Sequence, residues 1–357
     1  MRQQGAGDDL SVRPCVSVVI PVRNRPASIV NAINSVLAQS VPPLRIVVVD
    51  DGSTDSTTRE VQRLAKGAAN LSAITIAHSG PASARNAGLE ALDAALHLAP
   101  AGPDAGDENL IAFLDSDDIW PPDFLMRAQQ RLLGSPELGL VVADRLECFH
   151  RSGPRLHSAS CFDTDPWGAL LRQSPQIMSC AVFRRRVLAD RPFPAGCFIG
   201  EDSALLIRLL AEGAKSAWIA GEPVVATRIP PGDQDRLTSR DRSSREKLQD
   251  RLGSAEIYAA ALAASTTAIP GRLADRLLAA RWVAVLGHGV AARDRQGVWR
   301  ALSELWRCGA RATALGILDH YHVLTDRGEV QSEPVNPAPG QHLERYEPMV
   351  AEAERRP

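Results

Sequence analysis

No run of this 357-residue chain is apolar over the roughly 18 to 20 residues needed to span a bilayer. Its opening, MRQQGAGDDLSVRP, lacks the apolar centre of a secretory signal. The two absences give the expectation of a cytoplasmic protein without a transmembrane segment, at most peripheral at a membrane. No sign of charge dominates either. Forty Lys and Arg against 42 Asp and Glu leave a net charge of −2, so nucleic acid is not an expected partner. Lysine is scarce (Lys66, Lys215 and Lys247 only), which is read as a coding bias without functional content. The six cysteines (Cys15, Cys148, Cys161, Cys180, Cys197, Cys308) form no CxxC pair and have no metal-type histidine spacing nearby. That pattern argues against a zinc site or disulfide framework and for small, mostly buried apolar residues. What is present is ordinary globular material: 45% hydrophobic and 23% charged, long enough for about two domains.

The first half alternates short apolar runs with helical patterns. VSVVI (16–20), LRIVVV (44–49), AITIA (73–77) and LIAFL (110–114) read as strands. Between them, residues 27–39, a stretch ending at Lys66-Gly67 and PASARNAGLEALDAAL read as helices. Apolar strands separated by helices of this length predict an α/β fold, a mostly parallel Rossmann-like sheet with helices on both faces. Residues 99–107 are a predicted loop. Past residue 134 the pattern loosens into mixed strands and short helices, with 202–213 the best helix. From about Ser243 the composition shifts to Ala, Leu and Arg, predicting helices near 243–264, 271–286, 296–307 and 310–322. The expected division is a flexible 1–13, a catalytic domain over 14–235, a helical C-terminal region over 243–325 and a disordered, Pro-rich tail over 331–357.

Four clusters carry chemistry. Asp115-Ser116-Asp117-Asp118 follows an apolar strand directly. Three carboxylates in four residues repel unless a cation compensates them, and an oxygen-rich site with open positions suits Mn²⁺ or Mg²⁺. The plainer reading is an acidic turn capping the helix after Pro121-Pro122. Asp50-Asp51-Gly52-Ser53-Thr54-Asp55 also follows a strand. Ligands in open α/β sheets lie beyond the carboxyl ends of strands, so both acidic turns are expected to line one crevice. Its plainer reading is an N-cap for the helix from Ser56. Gly80 to Gly88 enters a helix whose first turn carries Arg85, suited to a phosphate or base edge or simply to solvent. Gly200-Glu201-Asp202 opens an apolar helix, where Asp202 is either a general base or a favourable dipole partner.

In this order, the stretches VSVVIPVRNRP, LRIVVVDDGSTDST, SGPASARNAGLEAL, IAFLDSDDIWPPDFL and FIGEDSALLIRLL resemble glycosyltransferase family 2, the inverting nucleotide-sugar transferases of GT-A fold. The resemblance covers about residues 16 to 212. It implies that Pro21, Val22 and Arg23 form the first nucleotide-contacting loop, that Asp51 holds the base, and that Arg85 makes a second nucleotide contact. It implies that Asp115, Ser116 and Asp117 fill the DXD motif, with Asp117 and Asp115 as metal ligands. It implies that Asp202, beside Glu201, is the catalytic base, and Trp120 borders the acceptor pocket. The implied partners are a nucleotide-sugar donor, most simply a UDP-sugar, and an acceptor that is a lipid-linked glycan, a polysaccharide or a small molecule.

Three departures stand out. Arg23 occupies a loop position that is often acidic or aromatic in the family. The family's later metal-binding histidine is missing from TRIPPGDQD, where Asp233 or Gln234 are the substitutes. The QxxRW motif of processive synthases is also missing, since Arg281-Trp282 sits in AARW. Two rival readings compete with this one. A nucleotidyltransferase needs a Gly- and Lys-bearing phosphate loop, which PVRNRPAS lacks. A catalytically silent member would bind nucleotide-sugar without turnover. The formal GxGxxA at Gly287–Ala292 lies in a helical region without a βαβ context. RRRVLADR is a candidate for meeting an anionic acceptor or donor phosphate, whereas RLTSRDRSSREKLQDR, with Asp241, Glu246 and Asp250, reads as a solvated helix face. The helical region is expected either to cover the acceptor side or to support a homo-oligomer.

Overall fold

The structure, a computed structural model, describes residues 15–98, 109–147, 155–172, 177–188, 193–194, 199–226, 243–264, 269 and 272–325. The expectations for 1–13, 99–107, 331–357, Asp233, Gln234 and Asp241 lie outside them. The first half runs β1 (Val16–Val22), α1 (Ser28–Leu37), β2 (Arg45–Asp50), α2 (Thr57–Ala65), β3 (Leu71–Thr75), α3 (Pro81–Leu98) and β4 (Leu110–Phe113). There follow β5 (Asp118–Ile119), α4 (Phe124–Leu133), β6 (Leu138–Glu147), β7 (Arg155–His157), α5 (Pro166–Arg172), β8 (Ala181–Arg184), α6 (Arg185–Leu188), α7 (Glu201–Ala211) and β9 (Lys215–Ala226). Four helices end the described chain: α8 (Ser244–Ala263), α9 (Leu273–Ala291), α10 (Arg295–Cys308) and α11 (Ala310–Thr325).

The strands form one sheet in the order β3-β2-β1-β4-β8-β6-β9-β5, with β7 paired to β6. The first four strands are parallel. Beyond them the sheet is mixed: β8 runs antiparallel to both β4 and β6, while β6 and β9 are parallel. All seven residues of β1 are buried, because helices cover both faces of a central parallel strand and leave no side for polar alternation. The chain leaves β1 toward β2 on one side and later returns to β4 on the other. In open α/β sheets such a reversal is where a crevice lies, here at the carboxyl ends of β1 and β4.

Helix α3 packs unusually close to this crevice. A Cβ at Gly88 would come within 2.3 Å of Val19 Cγ1 and 3.2 Å of Val49 Cγ2, so only glycine lets the helix lie directly on β1 and β2. Pro81 at its first position and left-handed Gly80 (φ +89°) before it set the entry angle. Arg85 stands nearly one turn before Gly88, toward the strand ends.

The C-terminal helices are not a separate body loosely attached. Tyr258, Ala261, Leu262 and Leu277 enter the same apolar core as the sheet. A second core of Leu248, Ala255, Trp282, Val285, Ala301 and Leu305 joins α8, α9 and α10. At Gly200 (φ +95°) a Cβ would meet Ser254 Oγ at 2.5 Å, so α8 presses on the start of α7. The GxGxxA stretch is continuous helix within α9 and its following turn, as its helix-rich surroundings suggest.

Arg184, Arg185 and Arg186 of RRRVLADR bond within the fold, contrary to the expectation that this stretch meets an anionic ligand; Arg191 lies outside the described residues. Arg184 is fully buried and its Nε donates to the Leu138 carbonyl at 2.9 Å. Arg185 pairs with Asp93, and Arg186 donates to the Pro136 carbonyl. Backbone acceptors left over at the ends of α4 and β6 take these donors.

Two glycines should respond oppositely. Gly88→Ala overpacks the α3–sheet contact and is expected to cost about 1–3 kcal/mol. Gly253→Ala, within α8 with no atom within 4 Å of the added methyl, is expected to gain about 0.5–1 kcal/mol from helix propensity. Urea unfolding of both variants checks the pair.

Candidate active site

Three loops at the strand ends are zipped together by backbone and side-chain hydrogen bonds. Pro21 and Val22 end β1 as buried residues, and half-buried Arg23 follows. Asn24 adopts a left-handed conformation (φ 49°). Its N–H donates to Ser53 Oγ at 3.0 Å, and its Oδ1 accepts from the Thr54 N–H at 2.8 Å. The Arg25 N–H donates to Thr57 Oγ1 at 2.8 Å. Asp50 is an internal fastener of the second loop: it accepts from the Ser53 N–H at 2.9 Å and from the Thr58 hydroxyl. Asp55 accepts from the Thr57 N–H at 2.9 Å, so part of the plain capping reading is right for this loop.

Asp51 points the other way, into the loop that enters α3. It accepts from the Ser79 N–H at 2.7 Å and the Gly80 N–H at 2.9 Å, with His78 Nδ1 2.9 Å from Oδ2. A carboxylate offers about four acceptor positions, and three are engaged here. Gly52 (φ +69°) permits the approach, since a Cβ there would lie 3.0 Å from the His78 nitrogen. His78, partly exposed at the end of β3, carries no signal that the sequence reading used. Its signal was its place just after β3, equivalent to the acidic turns after β2 and β4.

Arg85 is buried and bridges two acids. Nη1 donates to Glu201 Oε1 at 2.7 Å and Nη2 to Asp115 Oδ1 at 2.8 Å. Burial alone would lower its pKa, but the fields and hydrogen bonds of Asp115 and Glu201 outweigh burial and hold it above its ordinary value. Its guanidinium carbon also lies 5.4 Å from the Phe193 ring centroid. Asn86, next along α3, fixes the Phe193 backbone reciprocally: it donates to the Phe193 carbonyl at 2.8 Å and accepts from its N–H at 2.7 Å. The geometry therefore makes Arg85 a link between the acidic turn after β4 and the start of α7, with both terminal nitrogens occupied.

Within the acidic turn, Asp115 and Asp117 are half-buried while Ser116 and Asp118 are buried. Ser179 Oγ accepts the Asp115 N–H at 3.1 Å and its hydroxyl donates to the Asp118 carboxylate. Burial, opposed by Arg145 and aided by the fields of Asp117 and Asp115, pushes Asp118 up to about 7. The nearest Arg145–Asp118 approach is 3.9 Å. Asp118 belongs to the interior and to β5, leaving Asp115 and Asp117 as the half-buried carboxylates of the turn. Asp123, not this turn, occupies the N-cap position of α4, and it makes no side-chain cap hydrogen bond. Trp120 corrects an expectation: it is fully buried, its Nε1 donates to the Ser179 carbonyl at 2.6 Å, and it packs on Phe124. An indole so enclosed does not border an acceptor pocket.

Asp202 lies at the second position of α7. Its Oδ1 accepts from the Ser203 N–H at 2.6 Å, a favourable contact at a helix N-terminus. Burial raises its pKa, adjacent Glu201 raises it further, and Arg85 opposes them, with the result pushed up to about 7. The field of Asp115 reaches it as well. One buried arginine thus gathers Asp115, Glu201 and Asp202 into a single electrostatic unit at the crevice.

A divalent ion fits this donor set in one manner. Among the described residues no three ligating side chains cluster. The two half-buried carboxylates of Asp115 and Asp117 are hard oxygen donors of the kind Mg²⁺ or Mn²⁺ takes, and they are the residues that would hold such an ion.

Residues 17–191 match the family described as Glycosyl transferase family 2. The succinoglycan biosynthesis protein ExoO of Rhizobium meliloti is 31% identical over 226 residues, covering 57% of this chain and 58% of that protein. The crystal structure of S. aureus TarS 1-349 in complex with UDP-GlcNAc superposes with a TM-score of 0.61 at 19% identity, covering 87% of this chain and 88% of that one. Mannosyltransferase PcManGT from Pyrobaculum calidifontis, in complex with GDP-Man and Mn²⁺, gives a TM-score of 0.51 at 20% identity and covers 88% of each chain. These two likenesses establish the GT-A fold. The chain spans about a third of the length of the first curated relatives it matches.

The bridge predicts its own energetics. Arg85→Met strands the buried Glu201 charge and is expected to cost about 3–5 kcal/mol. Adding Glu201→Gln should restore much of that loss. A double-mutant cycle by denaturant unfolding measures the coupling.

Proposed function

Because residues 17–191 are a glycosyl transferase family 2 domain, we propose that the protein transfers a sugar from a nucleoside diphosphate donor to an acceptor hydroxyl, with inversion, in glycan or polysaccharide biosynthesis. The observation that carries the reading is the Arg85 bridge, which joins the acidic turn after β4 to the start of α7. A leaving-group site and a proton acceptor are needed at one crevice, and these two elements bear them.

In this reading Pro21, Val22, Arg23 and Asp51 border the nucleoside, with His78 beside Asp51. Arg85 acts as a positioning residue, holding Asp115 and Glu201 rather than the phosphate. Asp117 with Asp115 would hold Mn²⁺ or Mg²⁺, which supplies neutralisation of negative charge on a diphosphate. Asp202 accepts the proton of the acceptor hydroxyl on its carboxylate. The freed oxygen forms a bond to the anomeric carbon from the face opposite the diphosphate, whose bond to that carbon breaks. One displacement of this kind inverts the centre. UDP is the proposed nucleotide: TarS is described with UDP-GlcNAc, while PcManGT is described with GDP-Man and Mn²⁺. The name of ExoO places that relative in succinoglycan biosynthesis and supports a glycan acceptor, lipid-linked or polymeric. Residues 14–235 would carry the chemistry and 243–325 would buttress α7.

Asp202→Asn keeps the shape and removes the base. Its transfer rate is expected to fall by about 10²-fold or more, with donor binding unchanged. A normal rate in a donor-consumption assay would overturn the assignment. The raised pKa gives a second expectation. The carboxylate accepts protons only when ionised, so activity at saturating substrate should rise as pH passes through about 7. At pH 6 the rate should be about a tenth of the alkaline plateau. A flat profile from pH 6 to 8 contradicts Asp202 as the base.

A further inference from the structure

Helix α10 is apolar on two opposed faces. Gly297, Ala301 and Leu305 are buried against the neighbouring helices. On the other side Trp299, Leu302 and Trp306, spaced i, i+3, i+7, form one stripe facing solvent, with Trp299 72% and Trp306 84% exposed. A helix apolar on both faces ordinarily has something on each. Exposed tryptophans in such a stripe, in a chain with only six of them, need a partner that is apolar inside and wet outside.

The charge around the stripe is one-sided. From Val290 to Arg311 the chain carries five arginines, Arg293, Arg295, Arg300, Arg307 and Arg311, all exposed, against Asp294 and Glu304. Arg300 pairs with Glu256 and Arg307 with Glu304. Asp294 is used at the helix N-terminus, accepting from the Gln296 N–H at 3.1 Å. Of the arginines left over, Arg311 lies on α11, while Arg293 and Arg295 flank Asp294 at the α9–α10 turn, where a groove of about 420 Å³ is lined by Val290, Arg293, Asp294, Arg295, Val298 and Trp299. Exposed Val290 adds to the apolar surface at this groove.

We propose that this surface rests on an anionic lipid bilayer, with Trp299, Leu302 and Trp306 entering the interfacial layer and the surrounding arginines meeting lipid phosphates. Tryptophan at the headgroup level and arginine beside it are the two side chains this boundary accommodates best. A second copy of the chain fits less well, since a two-fold contact through this face would set its arginines against themselves. No helix among the described residues is long and apolar enough to cross a membrane, so attachment through this face is interfacial. Vesicle binding needs neither donor nor acceptor, so it stands or falls separately from the catalytic reading.

The test is flotation of the full chain with neutral phosphatidylcholine vesicles and with vesicles containing about 30% phosphatidylglycerol, at low and high salt. Binding is expected only to the anionic vesicles and should weaken as salt screens the arginines. Trp299→Ser/Trp306→Ser and Arg293→Glu/Arg295→Glu should each lower the partition coefficient about tenfold or more. UDP affinity and thermal midpoint serve as controls for folding, since all four side chains are exposed. Absence of flotation at any salt, or equal binding to neutral vesicles, overturns the proposal. So does a dimer by sedimentation that Trp306→Ser dissolves while vesicles bind neither form.

Discussion

A single buried guanidinium holds three parts of the chain in register. Arg85 comes from α3, Asp115 from the turn after β4, and Glu201 from the start of α7, 116 residues away from Arg85 in sequence. Arg85 and Glu201 are buried, so either charge is costly alone, and the planar fork of arginine also reaches the half-buried Asp115, binding two carboxylates in a geometry a lysine does not offer. The bridge has a geometric precondition in Gly88, since α3 must lie nearly on the backbone of β1 and β2 for Arg85 to reach that depth. It also has a chemical consequence. With Glu201 neutralised by Arg85 but still adjacent, Asp202 sits where burial and a neighbouring acid lift its proton affinity and the arginine limits the rise.

The helical region bears on the same unit from behind. Gly200, immediately before Glu201, has room for no side chain because Ser254 of α8 occupies the space. Tyr258, one turn further along α8, is fully buried and carries the Arg281 guanidinium 4.4 Å from its ring centroid. Movement of α8 or α9 would therefore be felt at the start of α7. These same helices carry the Trp- and Arg-bearing outer face of α10, so a surface contact and the acid pair are separated by packed side chains and not by a flexible linker.

Much of the fold was legible because its signals are local. The runs VSVVI and LRIVVV are too continuously apolar for a half-exposed strand, and the turns that follow them announce the crevice. The acidic turns were legible for the same reason. What was not legible depends on partners distant in sequence. Nothing near Arg85 points to Glu201, nothing in RRRVLADR reveals that Arg184 is consumed by carbonyls of Leu138 and Leu132, and a tryptophan after DSDD gives no hint that Ser179 holds its ring nitrogen inside. Asp50 and Asp51 are adjacent and chemically identical, yet one closes its own turn and the other fastens the next loop. Only the alternation of the strand end separates them.

In the proposed function, the strand ends of β1, β2 and β4 take a nucleoside diphosphate beside Asp115 and Asp117. Isothermal titration with UDP, dTDP and GDP, each with Mn²⁺ and with EDTA, on the natural protein and on Asp117→Ala, tests it directly. UDP is expected to bind only with Mn²⁺ and to lose that binding in the variant. Binding of none of the three nucleotides, or tight binding indifferent to both metal and substitution, would contradict it.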